Sequence, residues 1–180
     1  MSSPSRTTAL ITGLAIAGWL SLSHADAQEP CIPLPVNFEL CADGTVWQGA
    51  ESFGFEDALV LESDQLWLEV MPLPDLLEAL SLDAIMDSLE AEFIQQAAAE
   101  GQRAPDIMDR VSFQTPQVSG MMITMTEFDY DDEYVVVTAV VQGNGRHVIL
   151  ALDGDAAFSA SEMEQNMRNI SDMIRLAEEG

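Results

Sequence analysis

The sequence predicts an α+β fold, in which an antiparallel sheet is covered by two helices. Short apolar segments joined by tight turns indicate paired strands in both halves of the chain. Two longer stretches instead repeat their apolar residues every three or four positions, as amphipathic helices do. The predicted order is strands, helix, strands, helix, and the two helices are then available to bury the faces of the sheet.

The first half contains two predicted pairs of strands. The segments with strand-like alternation or apolar character are residues 36–42, 45–47, 58–61 and 66–71. Asp43-Gly44 is the turn of the first pair, and residues 62–64 are the turn of the second. Pro72 and Pro74 end the last strand because proline cannot donate a backbone hydrogen bond to a neighbouring strand.

The period changes at Asp75, where the first helix is predicted to begin. Its apolar stripe consists of Leu76, Leu77, Leu80, Ile85, Met86, Leu89, Phe93 and Ile94. Ser81 is a candidate internal cap that restarts the helix after a kink, and Gly101 with Pro105 ends it.

The second half contains the clearest hairpin, residues 135–142 and 146–152. Asn144-Gly145 favours a type I′ turn, which pairs Gly143 with Arg146 and Gln142 with His147. Both faces of this hairpin are mainly apolar, which is typical of central strands covered on two sides. Residues 121–128 are predicted to form the preceding strand, and residues 111–113 a further short one.

A final helix closes the chain. Ser159 and Glu162 have the spacing of a capping box, in which each side chain satisfies a free amide of the first turn. The apolar stripe that follows is Met163, Met167, Ile170, Ile174 and Ala177. We interpret this stripe as core packing; the alternative is a methionine-rich binding surface.

The first 27 residues have the features of a cleaved secretory signal. Arg6 precedes an uncharged apolar run over residues 9–22, and Ala25-Asp26-Ala27 matches a signal-peptidase site. The run is shorter than the roughly 20 residues that span a bilayer, so we expect no stable membrane anchorage. Cleavage after Ala27 would leave residues 28–180 as a single domain in the periplasm or outside the cell.

The charge of the chain restricts its partners. It has 31 acidic and 6 basic side chains, none of them lysine, and a formal charge of −25. Such a surface repels nucleic acid and attracts a basic protein surface or a cationic ligand. The alternative is that the acidity only keeps the protein soluble or adapts it to salt. Because 48% of the residues are hydrophobic, the chain can still fold.

Cys31 and Cys41 are the two cysteines of the chain and are predicted to form a disulfide. An exported protein meets oxidising conditions, and closing a ring of about 11 residues stabilises the fold by about 3 kcal/mol. The bond would fix the first strand. A redox pair or a metal site is the alternative, but the spacing is not Cys-x-x-Cys and no histidine is near.

The chain resembles the PsbP-like family. The resemblance covers most of residues 36–177 and rests on element order and three local features. These are Val70-Met71-Pro72 before a long helix, the apolar hairpin around residues 143–145, and a final helix containing Asn169-Ile170-Ser171-Asp172-Met173-Ile174. The resemblance implies a sheet between helices and a non-enzymatic accessory or binding protein, with no catalytic residues to carry over.

The sequence indicates no catalytic site and no cofactor. His24 leaves with the signal, so any imidazole-dependent nucleophile needs His147, which we expect to be solvated beside the hairpin turn. Nucleotide-binding glycine motifs and Gly-x-Ser-x-Gly are absent. A small hydrolase that uses two carboxylates remains an alternative, because such a pair needs no sequence motif.

An acidic cluster connects two predicted strands. It consists of Glu127, Asp129, Asp131, Asp132 and Glu133. Carboxylate oxygens suit calcium, yet the segment lacks the glycine and the distal glutamate of an EF-hand loop. We interpret the cluster as a solvated acidic turn, with a weak calcium site and a calcium-responsive binding module as the alternative. The leading prediction is therefore a periplasmic or secreted non-enzymatic accessory protein.

Overall fold

A computed structural model of the chain describes residues 31–55, 58–129, 132–154 and 157–177. The elements in the first half are β1 (Ile32–Leu34), β2 (Phe38–Leu40), β3 (Glu51–Phe55), β4 (Ala58–Glu62), β5 (Leu66–Pro72) and helix α1 (Leu82–Glu100). Those in the second half are β6 (Asp106–Gln114), β7 (Ser119–Asp129), β8 (Asp132–Gly143), β9 (Arg146–Gly154), helix α2 (Ala160–Met173) and β10 (Ile174–Leu176). The predicted signal, residues 1–27, lies outside the described residues.

The predicted α+β fold is confirmed. Seven strands form one antiparallel sheet in the order β3-β4-β5-β9-β8-β7-β6, and β1, β2 and β10 form a small second sheet. The hairpin register is also confirmed, since Gln142 pairs with His147 and Gly143 with Arg146. Asn144 and Gly145 have φ of 49° and 73°, the left-handed pair that a type I′ turn requires.

Each face of the large sheet is packed by one helix. Helix α2 buries Met163, Met167 and Ile170 against a face that includes Val137, Leu150 and Leu152. Helix α1 buries Ile85, Met86 and Leu89 against the opposite face, which includes Ile123, Val140 and Ile149. We call these the α2 face and the α1 face. The two apolar faces predicted for the hairpin are thus both buried, which explains its lack of polar alternation.

Helix α1 begins later than predicted. Ser81 is its N-cap and accepts a hydrogen bond from the amide of Ala84, while residues 75–80 form turns. Leu76 is 90% exposed, whereas Leu77 in the same turns packs against the cluster of the α1 face. Gly101 ends the helix in the left-handed conformation, as predicted.

Other boundaries also differ from the prediction. The segment predicted as a strand over residues 36–42 is a strand only over Phe38–Leu40, because a short 3-10 helix, Pro35–Asn37, precedes it. Residues 45–47 form turns rather than a strand, although Trp47 is buried in the core of the α2 face. β3 was not predicted and pairs with β4. The final helix stops at Met173, because Ile174 leaves it to pair with Leu40 in the small sheet. The capping box of Ser159 and Glu162 is present as predicted.

The predicted disulfide between Cys31 and Cys41 is confirmed. It closes the hairpin of β1 and β2, in which Ile32 pairs with Leu40. The amide of Cys41 also donates a hydrogen bond to the carbonyl of Met173 at 3.1 Å, so the bond lies beside the end of α2. None of the helices formed by the described residues combines the length and apolar character that crossing a membrane requires.

Candidate functional site

A cleft opens between the C-terminal end of α1 and the hairpin of β7 and β8. Its volume is about 410 Å³. The side chains that define its chemistry are Phe93, Glu100, Arg103, Glu127, Phe128 and Tyr134. Aromatic, acidic and basic residues from three separate parts of the chain therefore meet at this cleft, with Phe128 on the side of the hairpin opposite to Glu127.

Glu127 is the central acidic group of this cleft. It lies on β7 directly opposite Tyr134 of β8, and the Tyr134 hydroxyl donates a hydrogen bond to Glu127 Oε2 at 3.3 Å. Burial raises the pKa of Glu127 most, the Tyr134 hydrogen bond lowers it, and the charges of Asp153 and Glu100 raise it further. The ionised carboxylate is therefore partly desolvated, and acidic neighbours surround it.

Arg103 places a cation at the rim of this cleft. Its guanidinium carbon lies 3.9 Å from the centre of the Phe128 ring, a cation–π contact. The same group pairs with Asp106 at 2.6 Å, and both side chains of that ion pair are 59% exposed. The guanidinium thus combines an aromatic face with a carboxylate at the rim of the cleft.

The end of α1 determines where Arg103 lies. Gly101 has φ of 73°, and the amide of Gln102 donates to the carbonyl of Ala97 at 2.8 Å. This C-cap reverses the chain so that it runs from α1 back into β6. Arg103 is placed two residues after the cap, beside the β7–β8 hairpin. The sequence has no local signal for this arrangement, because Arg103 and Phe128 are far apart along the chain.

The structure places the predicted calcium candidates on different faces. Glu127 lies opposite Tyr134, whereas Glu133 lies opposite Phe128, so the two glutamates project to opposite sides of the hairpin. Asp129 pairs with Asp132 along the backbone, and Asp131 lies outside the described residues. The calcium site stays a prediction.

Another group with metal-ligand spacing occurs near the N-terminal end of the described chain. Cys31, Glu39 and Cys41 bring potential ligand atoms within 4.8 Å of one another. The two sulfur atoms are joined in the disulfide, so the thiolates that a metal would need are not present in this form.

The expectation of a solvated His147 is wrong. The side chain is only 6% exposed and lies on the α1 face, where Nδ1 has no hydrogen-bond partner among the described residues. Burial lowers the pKa of His147, and the nearby charge of Glu78 opposes that shift. The turn register was predicted correctly, but the segment before α1 packs at this end of the sheet, with Leu73 in the same cluster as Ile149.

Comparisons with known proteins support the fold. No model of a protein family matches the chain, and no curated protein matches it either. Among solved structures, the chain is similar to cyanobacterial PsbP from Synechocystis, with 11% identity and a TM-score of 0.55. The match covers 78% of this chain and 86% of that protein. The chain therefore has a PsbP-like fold, as predicted.

Two other solved structures match with lower TM-scores. A Pseudomonas aeruginosa protein of unknown function has 7% identity and a TM-score of 0.43, with coverage of 68% of this chain and 94% of that one. LpqN of Mycobacterium tuberculosis, which is involved in cell envelope biogenesis, has 10% identity and a TM-score of 0.41. That match covers 86% of this chain and 88% of LpqN.

Proposed function

We propose that the protein is a non-enzymatic accessory protein of the periplasm or the extracellular space, and that its cleft binds a cationic group of a partner or ligand. The observation that carries this proposal is the environment of Glu127. A carboxylate that is half-buried beside aromatic rings, with its pKa raised by burial and by acidic neighbours, gains most from a bound cation.

The proposed location is supported by three features. The signal-like segment over residues 1–27 is typical of exported proteins. The disulfide of Cys31 and Cys41 is typical of oxidising compartments. The fold is PsbP-like, and the resemblance of the sequence to the PsbP-like family implies an accessory role.

The chemistry of the cleft suits a guanidinium or an alkylammonium group. Such a cation would form a charge-assisted hydrogen bond with Glu127, and the ring faces of Phe93 and Tyr134 would replace part of its hydration. The formal charge of −25 would attract the ligand at low salt, and added salt would screen this attraction. Binding would also lower the pKa of Glu127, so it would release a proton and weaken as Glu127 becomes protonated.

The test uses arginine methyl ester as the probe, because it carries two cationic groups and no carboxylate. Isothermal titration of the protein should show saturable binding that Glu127→Gln weakens at least tenfold. Glu92→Gln is the matched control, since it removes one exposed carboxylate from α1 outside the cleft. Equal affinity of the Glu127→Gln and Glu92→Gln variants would contradict the proposal.

A carboxylate-dependent hydrolase is the second candidate function. Glu127 favours it, because a raised carboxyl pKa beside a second acid, Glu100, is the pattern of an acid–base pair. The test is a panel of chromogenic glycosides and esters. Hydrolysis that Glu127→Gln and Glu100→Gln each abolish, and that Glu92→Gln retains, would favour the enzyme over the accessory protein.

The calcium-responsive module is tested separately. Because Glu127 and Glu133 lie on opposite sides of the hairpin, we expect no heat when millimolar calcium is titrated at low salt. A saturable isotherm that Glu133→Gln reduces and Glu92→Gln does not would support a calcium site in the acidic cluster.

A further inference from the structure

Part of the α1 face carries exposed aromatic side chains. Helix α1 packs over residues of β7, β8 and β9. On β3 and β5 of the same face, Phe53 and Trp67 remain 40% and 39% exposed. This part of the sheet therefore presents large apolar side chains at the surface.

Phe53 and Trp67 form an ordered pair across β4. Their ring centres are 5.4 Å apart at an interplanar angle of 73°, an edge-to-face contact. Phe53 pairs directly with Val60 of β4, which is only 3% exposed. The two rings thus lie over Val60 and form one apolar patch, rather than two isolated surface residues.

A row of carboxylates lies beside the aromatic pair. The register places Glu51 of β3 opposite Glu62 of β4, and Glu62 opposite Trp67 of β5. Trp67 in turn lies opposite Asp153 of β9, so the four residues follow one another across neighbouring strands on the same face of the sheet. We call the three carboxylates among them, Glu51, Glu62 and Asp153, the acidic row. Two like charges placed directly opposite destabilise a sheet, so Glu51 and Glu62 act against folding.

The ion pairs of the described residues do not neutralise these two glutamates. Arg103 pairs with Asp106, and Arg110 pairs with Asp87 and Glu90. Arg146 donates to the backbone carbonyl of Val36. Among the described residues, none of the ion pairs includes Glu51 or Glu62, and the chain has no lysine.

Two grooves run along the same end of the sheet. One, of about 830 Å³, lies between residues 46–51 and residues 62–66. The other, of about 240 Å³, shares residues 62–66 and extends to Trp67 and Asp153. The two grooves share the residues of the β4–β5 turn, and the larger one has room for several residues of an extended chain.

We propose that the acidic row and the Phe53–Trp67 pair dock an extended, arginine-bearing segment of a partner protein. A guanidinium would stack on Trp67 between the carboxylates of Glu62 and Asp153. The planar, weakly hydrated guanidinium suits a tryptophan ring between two acids better than a compact ammonium does. A second cationic side chain would relieve the repulsion of Glu51 and Glu62. This surface differs from the Glu127 cleft and adds a site to the proposed function.

A macromolecular segment fits the surface better than a single small cation. One guanidinium on Trp67 would leave Glu51 and the 830 Å³ groove without a ligand. The spacing of neighbouring strands, about 5 Å, also distributes the acids over a length that only a multi-residue ligand spans.

The test is a fluorescence-anisotropy titration with a labelled nine-residue peptide in which arginine alternates with glycine. The double variant Glu51→Gln and Glu62→Gln should weaken peptide binding at least tenfold while raising the midpoint of thermal unfolding. Its control, Glu92→Gln with Asp172→Asn, removes the same charge from exposed positions of the helices and should weaken binding less than threefold. Trp67→Leu, which keeps an apolar cover over Val60, should also weaken binding.

Other outcomes would overturn the proposal. If the two double variants lost affinity equally, the attraction would come from net charge alone. If free arginine competed with the peptide at equal concentration, the surface would bind a small molecule instead of a protein segment. If Glu127→Gln alone abolished peptide binding while the acidic-row variant retained it, the proposed function would stand without this second surface.

Discussion

The stabilisation provided by the Cys31–Cys41 disulfide can be worked out from the chain. The bond joins residues separated by 10 positions and closes the β1–β2 hairpin. Loop-closure entropy for a ring of about 11 residues corresponds to about 3 kcal/mol. With a urea dependence of about 2 kcal/mol per molar, its loss should lower the urea midpoint by about 1.5 M.

The perturbation is the double variant Cys31→Ser and Cys41→Ser, and the assay is urea unfolding followed by circular dichroism. The wild-type protein in dithiothreitol is the matched control, because it loses the bond and keeps the sulfur atoms. Both samples should unfold about 1.5 M urea earlier than the oxidised protein, with an unchanged slope. Coincident curves for the oxidised and reduced wild type would show that the disulfide does not stabilise the fold.

Three further predictions concern Glu127, His147 and Gly120. The pKa of Glu127 is raised in the folded state, so above pH values of about 4.3, the ordinary glutamate pKa, the folded protein holds this proton more tightly than the unfolded chain. The free energy of unfolding therefore falls as the pH rises through this range, and Glu127→Gln should stabilise the protein at pH 8 but not at pH 3. Because this group is half-exposed, the gain in the free energy of unfolding should stay below about 1 kcal/mol, and equal differences at both pH values would contradict the assignment. The lowered pKa of His147 has the opposite effect, because the folded state loses stability as the pH falls below about 6.5. Thermal unfolding at pH 5 and pH 8 should show this loss in the wild-type protein, and His147→Leu should remove it. At Gly120, an added Cβ would collide with the backbone oxygen of Val140 and the ring of Phe113, so Gly120→Ala should cost about 3 kcal/mol, or roughly 6–12 °C in the thermal midpoint. An unchanged midpoint for Gly120→Ala would show that this strand does not lie so close to its neighbours.

The pairing register of β8 and β9 could be predicted to the residue, although both strands are longer than predicted. This register depends on Asn144-Gly145, a local signal that determines the turn type and hence which residues pair. The strand order of the whole sheet could not be predicted. β5 pairs with β9, and the segments that form these two strands are separated by α1, β6, β7 and β8.

Element boundaries were missed where tertiary contacts override the local pattern. The apolar spacing continues from Ile170 through Ile174, which predicts helix, yet Ile174 pairs with Leu40 and leaves the helix. The apolar spacing before Ser81 also predicts helix, but residues 75–80 form turns and Leu76 is exposed there. Ile174 is thus placed by a neighbour from elsewhere in the molecule, whereas Leu76 remains exposed.

The candidate site was predicted only in part. Glu127 was selected as a member of an acidic cluster, and its position on a hairpin was expected from the flanking strands. The partial burial of Glu127 was not expected, because it depends on the end of α1 and on the strand register that places Tyr134 opposite Glu127. His147 was misread for the same reason: the segment that covers it lies about 70 residues earlier in the chain.

The most direct test of a cation site at Glu127 is to measure the pKa of its carboxyl group by carbon-13 NMR, with and without saturating arginine methyl ester. We expect a pKa above the ordinary glutamate value in the free protein and a fall when the ester binds. An ordinary pKa in the free protein, or a raised one that saturating ester leaves unchanged, would contradict a cation site at Glu127.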